Sequence, residues 1–362
     1  MMTHGLLFIA GLAALFIGAN ALVHGASKLA LSLGIQPLVV GLTVVAFGTS
    51  APEMAVSTGA VINGQADIAI GNVVGSNIFN TLFILGLSAL IAPLVVHSQL
   101  IRQEVPVMIG TIMLLVALSL DGIISIQDGG LLFFLMIAYT VFLIRQSRQA
   151  PADQTSEFDL EFTKAKPNAW DSKWPIQVGL IIFGLVFLVL GSDWLVTASI
   201  MFAKLMGISD LVIGLTIVAA GTSMPEVAAS LVAAFKGERD IAIGNVIGSN
   251  IFNVLGSLGL AGLVSGLTGM AVAPSLLTFD LWVLAAVSLA CLPIFLSGRE
   301  IARWEGGVFL IYYIAYVTYM IMSAQSHDTL PQFSSVMLSF VLPLTIITLV
   351  VSLLGRPKPS SK

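Results

Sequence analysis

Residues 38–87 of this chain align without a gap to residues 211–260, a constant offset of 173 positions, and 33 of those 50 pairs are identical. Weaker likeness reaches back to Gly18-Ala19-Asn20 against Gly191-Ser192-Asp193. A chain that carries one unit twice must fold so that each copy completes the other. How the copies meet depends on what surrounds them, and they are surrounded by apolar runs. Stretches of about 20 apolar residues, enough to cross roughly 30 Å of hydrocarbon, fall near 5–25, 37–61, 67–92, 101–120, 129–147, 175–198, 210–235, 241–265, 275–297, 305–323 and 332–354. Each copy belongs to a group of five spans. Five is odd, so the second copy enters the membrane upside down. The loops inside the two copies agree: Asn63-Gly64-Gln65-Ala66 is uncharged, whereas Lys236-Gly237-Glu238-Arg239 is charged.

Composition rules out a soluble reading. Lys, Arg, Asp and Glu make up 9% of the 362 residues, against roughly a quarter in an average globular domain. Hydrophobic residues reach 57% and mean hydropathy is +1.01. Cys291 is the single cysteine, which excludes a disulfide framework or a thiolate cluster. His4, His24, His97 and His327 have no ligand spacing, and a net charge of −4 without a basic tract speaks against nucleic acid. The expected architecture is an all-α polytopic membrane protein. A first five-span repeat occupies 1–147, a polar linker 148–174, an inverted second repeat 175–323, and an extra C-terminal span with a basic tail 324–362. With the N-terminus outside, fourteen of the fifteen Lys and Arg residues face the cytoplasm and only Lys204 lies outside, as the positive-inside rule asks. The linker and C-terminus are then cytoplasmic and the host is a cell membrane. Met1-Met2-Thr3-His4 lacks the positive start of a cleavable signal, so the first span is expected to remain.

The chemistry lies in what the copies share. The first motif is Gly48-Thr49-Ser50-Ala51-Pro52-Glu53, repeated as Gly221-Thr222-Ser223-Met224-Pro225-Glu226. An acidic side chain at mid-span costs at least roughly 2.5 kcal/mol, and no intramembrane Lys or Arg offsets Glu53 or Glu226. Each proline removes a helical N–H and frees a carbonyl one turn earlier. A kinked helix thus offers carbonyl, hydroxyl and carboxylate oxygens within one turn, which suits hard cations and not zinc or copper. The second motif runs from Asp67 through Gly71, Asn72, Gly75, Ser76 and Asn77 to Asn80, and from Asp240 through Gly244, Asn245, Gly248, Ser249 and Asn250 to Asn253. Asp67 and Asp240 sit where N-caps belong. Asn72, Ser76 and Asn80 form one helical stripe, as do Asn245, Ser249 and Asn253. Asn77 and Asn250 point about 100° away, toward neighbouring helices. The glycines have the small-xxx-small spacing of close helix packing. Two carboxylates supply the −2 that neutralises one Ca²⁺, and the same oxygens can hold Na⁺ instead.

At these residues the chain resembles the calcium/cation antiporter superfamily, in particular the bacterial sodium/calcium exchangers. The two Gly-Thr-Ser-x-Pro-Glu motifs and the two Gly-Asn-Val-x-Gly-Ser-Asn-Ile-Phe-Asn runs from Gly71 and Gly244 carry the likeness. The resemblance implies a ten-helix core and sodium-driven calcium extrusion, usually three Na⁺ for one Ca²⁺. By position it assigns calcium to Glu53, Glu226, Thr49 and Thr222. It assigns sodium sites to Ser50, Ser76, Asn80, Ser223, Ser249 and Asn253, with the backbone carbonyls of Ala46 and Ala219. Some members have an aspartate where this chain has Asn253, so the −2 count stands. Substrates are then Ca²⁺ and Na⁺, with no covalent cofactor, and the oligomeric state stays open. Proton/calcium exchange on the same glutamates is the alternative coupling. An intramembrane acidic dyad enzyme lacks a nucleophile–base pair or histidine cluster beside the glutamates, and an inert scaffold predicts that Glu53→Ala leaves ion flux unchanged.

Overall fold

The computed structural model describes residues 2–149, 171, 173–206, 217 and 219–355. The helices are α1 (Met2–Leu33), α2 (Pro37–Thr49), α3 (Ala51–Ile62), α4 (Ala66–Ile91), α5 (Leu100–Ser119) and α6 (Ile126–Gln149) in the first half. The second half has α7 (Trp174–Leu205), a turn at Ala219–Gly221, then α8 (Met224–Phe235), α9 (Arg239–Val264), α10 (Leu276–Leu296) and α11 (Arg303–Ala324). Last comes α12 (Leu330–Thr348). Among the described residues, nine helices are long and apolar enough to cross a membrane, and α2 with α3, bent by 42°, makes a tenth. The span expected at 210–235 is described from Ala219 onward, and its first part lies outside the described residues, as does most of the linker expected at 148–174. α1 and α7 run well past the expected 5–25 and 175–198; the added length of α1 is held by Ser27 on Glu238, Lys28 on Asp171 and Ser32 on Gln177.

α1 and α7 cross through a glycine seam. Gly11, Gly18 and Gly25 recur every seventh residue along one stripe, and a Cβ at any of them would come within 2.8 Å of α7 backbone, at Leu195, Gly184 and Gln177. Gly184 and Gly191 answer with approaches of 2.6 Å to Leu22 and 2.7 Å to Leu15. The repeat offset turns Gly11 into Gly184 and Gly18 into Gly191. The Gly11–Gly191 contact is therefore the two-fold image of the Gly184–Gly18 contact, as inverted copies require.

Two miniature antiparallel ladders, which the all-α expectation did not include, join the halves at the span ends. Leu94–Val95 pairs with Glu300–Ile301, and Ile123–Ile124 pairs with Met270–Ala271. Each ladder takes one strand from each repeat, satisfying backbone groups where the helices stop. At the far end of α1, Ser27 donates to Glu238 Oε1 at 2.8 Å, Lys236 Nζ donates to the Asn20 carbonyl at 3.2 Å, and His24 lies 2.8 Å from Asp171.

The centre belongs to α4 and α9, with 72% and 89% of their span-forming stretches buried. α12 has none of its stretch buried. It rests on α11 through Tyr312 and Thr345, at the rim of the bundle.

One expectation needs correction. Asp67 and Asp240 are not caps: the helices start at Ala66 and Arg239 behind Gln65 and Glu238, and neither cap position's side chain bonds to the first turn of its helix. The aspartates lie inside the first turn, where the helix dipole favours an acid, and Asp240 sits 3.2 Å from His97. The glycines of the second motif are expected to serve helix packing. Gly244 and Gly248 pack on α2, with backbone of Leu38 and Leu42 within 2.9 Å of their Cβ positions. Nothing comes within 4 Å of Gly71 or Gly75 among the described residues. The segment that the repeat sets opposite them, residues 211–219, lies mostly outside those residues.

Candidate ion-binding site

Both Gly-Thr-Ser-x-Pro-Glu motifs break their helix at the serine. Ser50 and Ser223 leave helical geometry, with ψ of 1° and 7°. Pro52 and Pro225 then open the next helices at positions where a missing N–H costs nothing. Each break puts a glutamate in the first turn of a new helix, deep in the protein. Glu53 and Glu226 are fully buried.

The two breaks meet and cross. Ser223 Oγ donates to Glu53 Oε1 at 2.8 Å, and Ser50 Oγ donates to Glu226 Oε1 at 3.1 Å. Each carboxylate is thus held by the serine of the other repeat. The threonines cross in the same way: Thr49 donates to Asn245 Oδ1 at 3.1 Å, and Thr222 donates to Asn72 Oδ1 at 3.2 Å. Behind them Asn72 Nδ2 donates to Ser57 at 3.1 Å and Asn245 Nδ2 donates to Ser230 at 2.9 Å. A hydroxyl that spends its proton on a neighbour keeps its oxygen lone pairs for a cation.

The second motif supplies the remaining oxygens. Ser76 Oγ lies 3.1 Å from Ser223 Oγ. Asn80 and Asn253 begin π-helical turns, Asn80–Ile84 and Asn253–Leu258. One extra residue per turn shifts the register of the helix at those asparagines, a feature concentrated at functional sites. Asn77 and Asn250 do face neighbouring helices: Asn77 Nδ2 donates to the Asn250 carbonyl at 3.0 Å, and Asn250 Nδ2 donates to Thr81 at 2.8 Å. Asn253 Nδ2 donates to Asn77 Oδ1 at 3.0 Å. The Ala46 carbonyl accepts from the Ser50 N–H at 3.0 Å and faces the Thr49 hydroxyl at 3.4 Å. Ala219 begins its helical turn two residues before Gly221.

Orphaned atoms mark the site. Twelve buried side-chain polar atoms among the described residues have no hydrogen-bond partner, and half belong to residues of the expected ligand set. They are Glu53 Oε2, Glu226 Oε2, Ser249 Oγ, Asn253 Oδ1 and both amide atoms of Asn80. A buried carboxylate oxygen without a partner carries a desolvation cost of several kcal/mol, and in a membrane no water is at hand to reduce it. The donor set is hard oxygen and net anionic, which fits calcium or sodium as cargo.

Of the expected residues, the structure joins Glu53, Glu226, Ser50, Ser223, Ser76, Thr49 and Thr222 in crossed hydrogen-bonded pairs. Ser249, Asn80 and Asn253 lie buried on α4 and α9. The residues not foreseen are the supports: Ser57 and Ser230 hold the asparagines that hold the threonines. Their signal was present, because both serines and both asparagines are identical in the two copies.

Comparison with known proteins gives the same answer along the whole bundle. The family model described as sodium/calcium exchanger protein matches residues 3–145 and 176–322, nearly the whole of the two five-span halves. The sodium/calcium exchanger MaX1 of Methanosarcina acetivorans is 36% identical over 341 residues, covering 86% of this chain and 97% of that protein. The inner membrane protein YrbG of Escherichia coli is 39% identical over 259 residues, covering 72% and 79% of the two chains. A solved structure of the sodium-calcium exchanger NCX_Mj superposes with a TM-score of 0.74 at 31% identity, covering 88% of this chain and 99% of the other. The chain is a multi-pass membrane protein of the sodium/calcium exchanger family, whose activity is exchange of calcium against another cation.

Proposed function

We propose that this protein exchanges Na⁺ for Ca²⁺ at a single central cage. Glu53, Glu226, Thr49 and Thr222 bind calcium, while Ser50, Ser76, Asn80, Ser223, Ser249 and Asn253, with the Ala46 and Ala219 carbonyls, complete sodium sites. The observation that carries the reading is the crossing: each glutamate has one oxygen fixed by the opposite repeat and one buried oxygen with no partner. Such a cage is electrically tolerable only when cations fill it. Ca²⁺ or Na⁺ can neutralise it in turn, and a requirement that the charge be neutralised before the protein changes its open side makes transport an exchange. Residues 1–147 and 175–323 act as the two inverted repeats, with 148–174 as a cytoplasmic linker and 324–362 as a peripheral span and tail. The Lys and Arg distribution puts the N-terminus outside and the Lys236 loop inside.

Purified protein in liposomes loaded with sodium should take up radioactive calcium when external sodium is removed, with pH gradients collapsed by an ionophore. Glu53→Gln and Glu226→Gln should each abolish uptake while the protein remains folded. Uptake that follows an imposed pH gradient and ignores sodium would replace sodium by protons as the coupling ion. Normal uptake by either glutamine variant would refute the cage.

A further inference from the structure

Beyond the cage the structure holds a second pair of carboxylates related by the inversion. Glu104 is the last residue of the π-helical turn Leu100–Glu104 that opens α5, and Asp280 is the last residue of the turn Leu276–Asp280 that opens α10. Each accepts from a tyrosine on the following span: Tyr139 OH to Glu104 Oε2 at 2.7 Å, and Tyr316 OH to Asp280 Oδ1 at 2.9 Å. The ungapped alignment hides this correspondence, because an offset of 173 would set Glu104 against Leu277.

The two copies differ in surroundings. Glu104 is sealed at 0% exposure, with Gln99 and Gln103 donating to its other oxygen at 3.1 and 2.8 Å. Asp280 lines a cavity of about 430 Å³ at the end of the bundle where α4 and α10 begin. The same cavity is lined by Asp67, Gly71, Asn72 and Thr222. Asn72 and Thr222 are bonded to each other, and Thr222 adjoins Ser223, which holds Glu53. Asp67 and Asp280 are the charged side chains among the described lining residues, and no Lys or Arg is among them.

We propose that Asp280 is an access-path carboxylate. It draws cations into the cavity that leads to Thr222 and the cage, a role that Glu104, sealed among its partners, does not share. This rests on the cage being the transport site, and it holds whichever cation drives the exchange. A low-dielectric wall around a single charge concentrates counter-ions. A carboxylate about 10 Å from a divalent ion in a water-like medium favours it roughly fourfold, and a monovalent ion roughly twofold. The calcium effect should therefore be about the square of the sodium effect.

Calcium uptake is measured in vesicles of known sidedness, using whichever gradient drives the unsubstituted protein. Asp280→Asn should raise the half-saturating calcium concentration about fourfold on one face. The maximal rate and the other face should stay unchanged, and the effect should shrink in high salt. Tyr316→Phe breaks the same hydrogen bond but keeps the charge, so its half-saturation should stay near normal, and Asp280→Glu should restore what Asp280→Asn loses. Equal effects of Asp280→Asn and Tyr316→Phe, a loss of maximal rate alone, or an unchanged half-saturation would each overturn the proposal and leave Asp280 a structural partner of Tyr316. Failure of the exchange reading itself would appear earlier, as uptake that survives Glu53→Gln.

Discussion

Gly184→Ala should loosen the seam between α1 and α7. The added Cβ would lie 2.6 Å from Leu22 N and 2.7 Å from the Gly18 carbonyl. The first of these is about 0.8 Å short of the 3.4 Å at which ordinary contact begins. Both atoms are helical backbone, so neither can swing aside as a side chain would; relief comes only if the two helices separate. Overpacking of this kind costs about 1–3 kcal/mol, while replacing a helical glycine by alanine returns up to about 1 kcal/mol. Backbone contacts this short belong at the upper end of the first range, so the net loss is about 2 kcal/mol. Gly179 sits on the same helix with nothing within 4 Å among the described residues, so Gly179→Ala keeps the gain and should stabilise. The assay is built into the chain. Cys291 is the only thiol and is fully buried, so a fluorogenic maleimide labels it when the bundle opens, and its labelling during a thermal ramp in detergent reports unfolding. Gly184→Ala should melt below the parent protein and Gly179→Ala above it. Equal melting of Gly184→Ala and the parent, or a lower melting point for Gly179→Ala, would show that the seam is not closely packed.

Other outcomes follow from the polar contacts. Asn77→Leu removes the acceptor of Asn253 and the donor to the Asn250 carbonyl, so the same thermal assay should register a loss of about 1–3 kcal/mol for stranded buried groups. Burial pushes the Glu238 carboxyl above its ordinary range; the Ser27 hydrogen bond opposes the shift and the nearby Asp240 charge adds to it. The folded state therefore prefers Glu238 protonated, and its contribution to stability grows as pH falls through that raised value. Glu238→Gln, which keeps an oxygen for Ser27, should melt above the parent at neutral pH, with the difference vanishing as pH falls into the ordinary carboxylate range. Asp171 behaves in the opposite sense. Burial raises its carboxyl, but the His24 hydrogen bond and the Lys28 charge together outweigh that and hold it below the usual range. The stability it gives is present at neutral pH and lost as pH falls through the lowered value, so Asp171→Asn should cost stability at neutral pH but not in strong acid.

Much of this molecule was legible in one dimension. Membrane spans, the odd number that inverts the second copy, and the acidic motifs all follow from residue type and spacing, because lipid forbids unpaired backbone and makes a buried glutamate conspicuous. Even the supporting Ser57 and Ser230 were visible as identical residues in the two copies. Distance in three dimensions was not. That Ser223 holds Glu53 while Ser50 holds Glu226 depends on how two broken helices cross, and the crossing is set by a glycine seam and two short strand ladders far from the motifs. Asp67 and Asp240 read as caps because the helix start could not be placed to the residue. Glu104 and Asp280 correspond only after the chain shifts its register between the copies. The sequence by itself determined the parts and their inversion, since those are properties of local chemistry and of counting. Tertiary structure alone decided which oxygen faces which, because that is fixed by packing between segments some 170 residues apart.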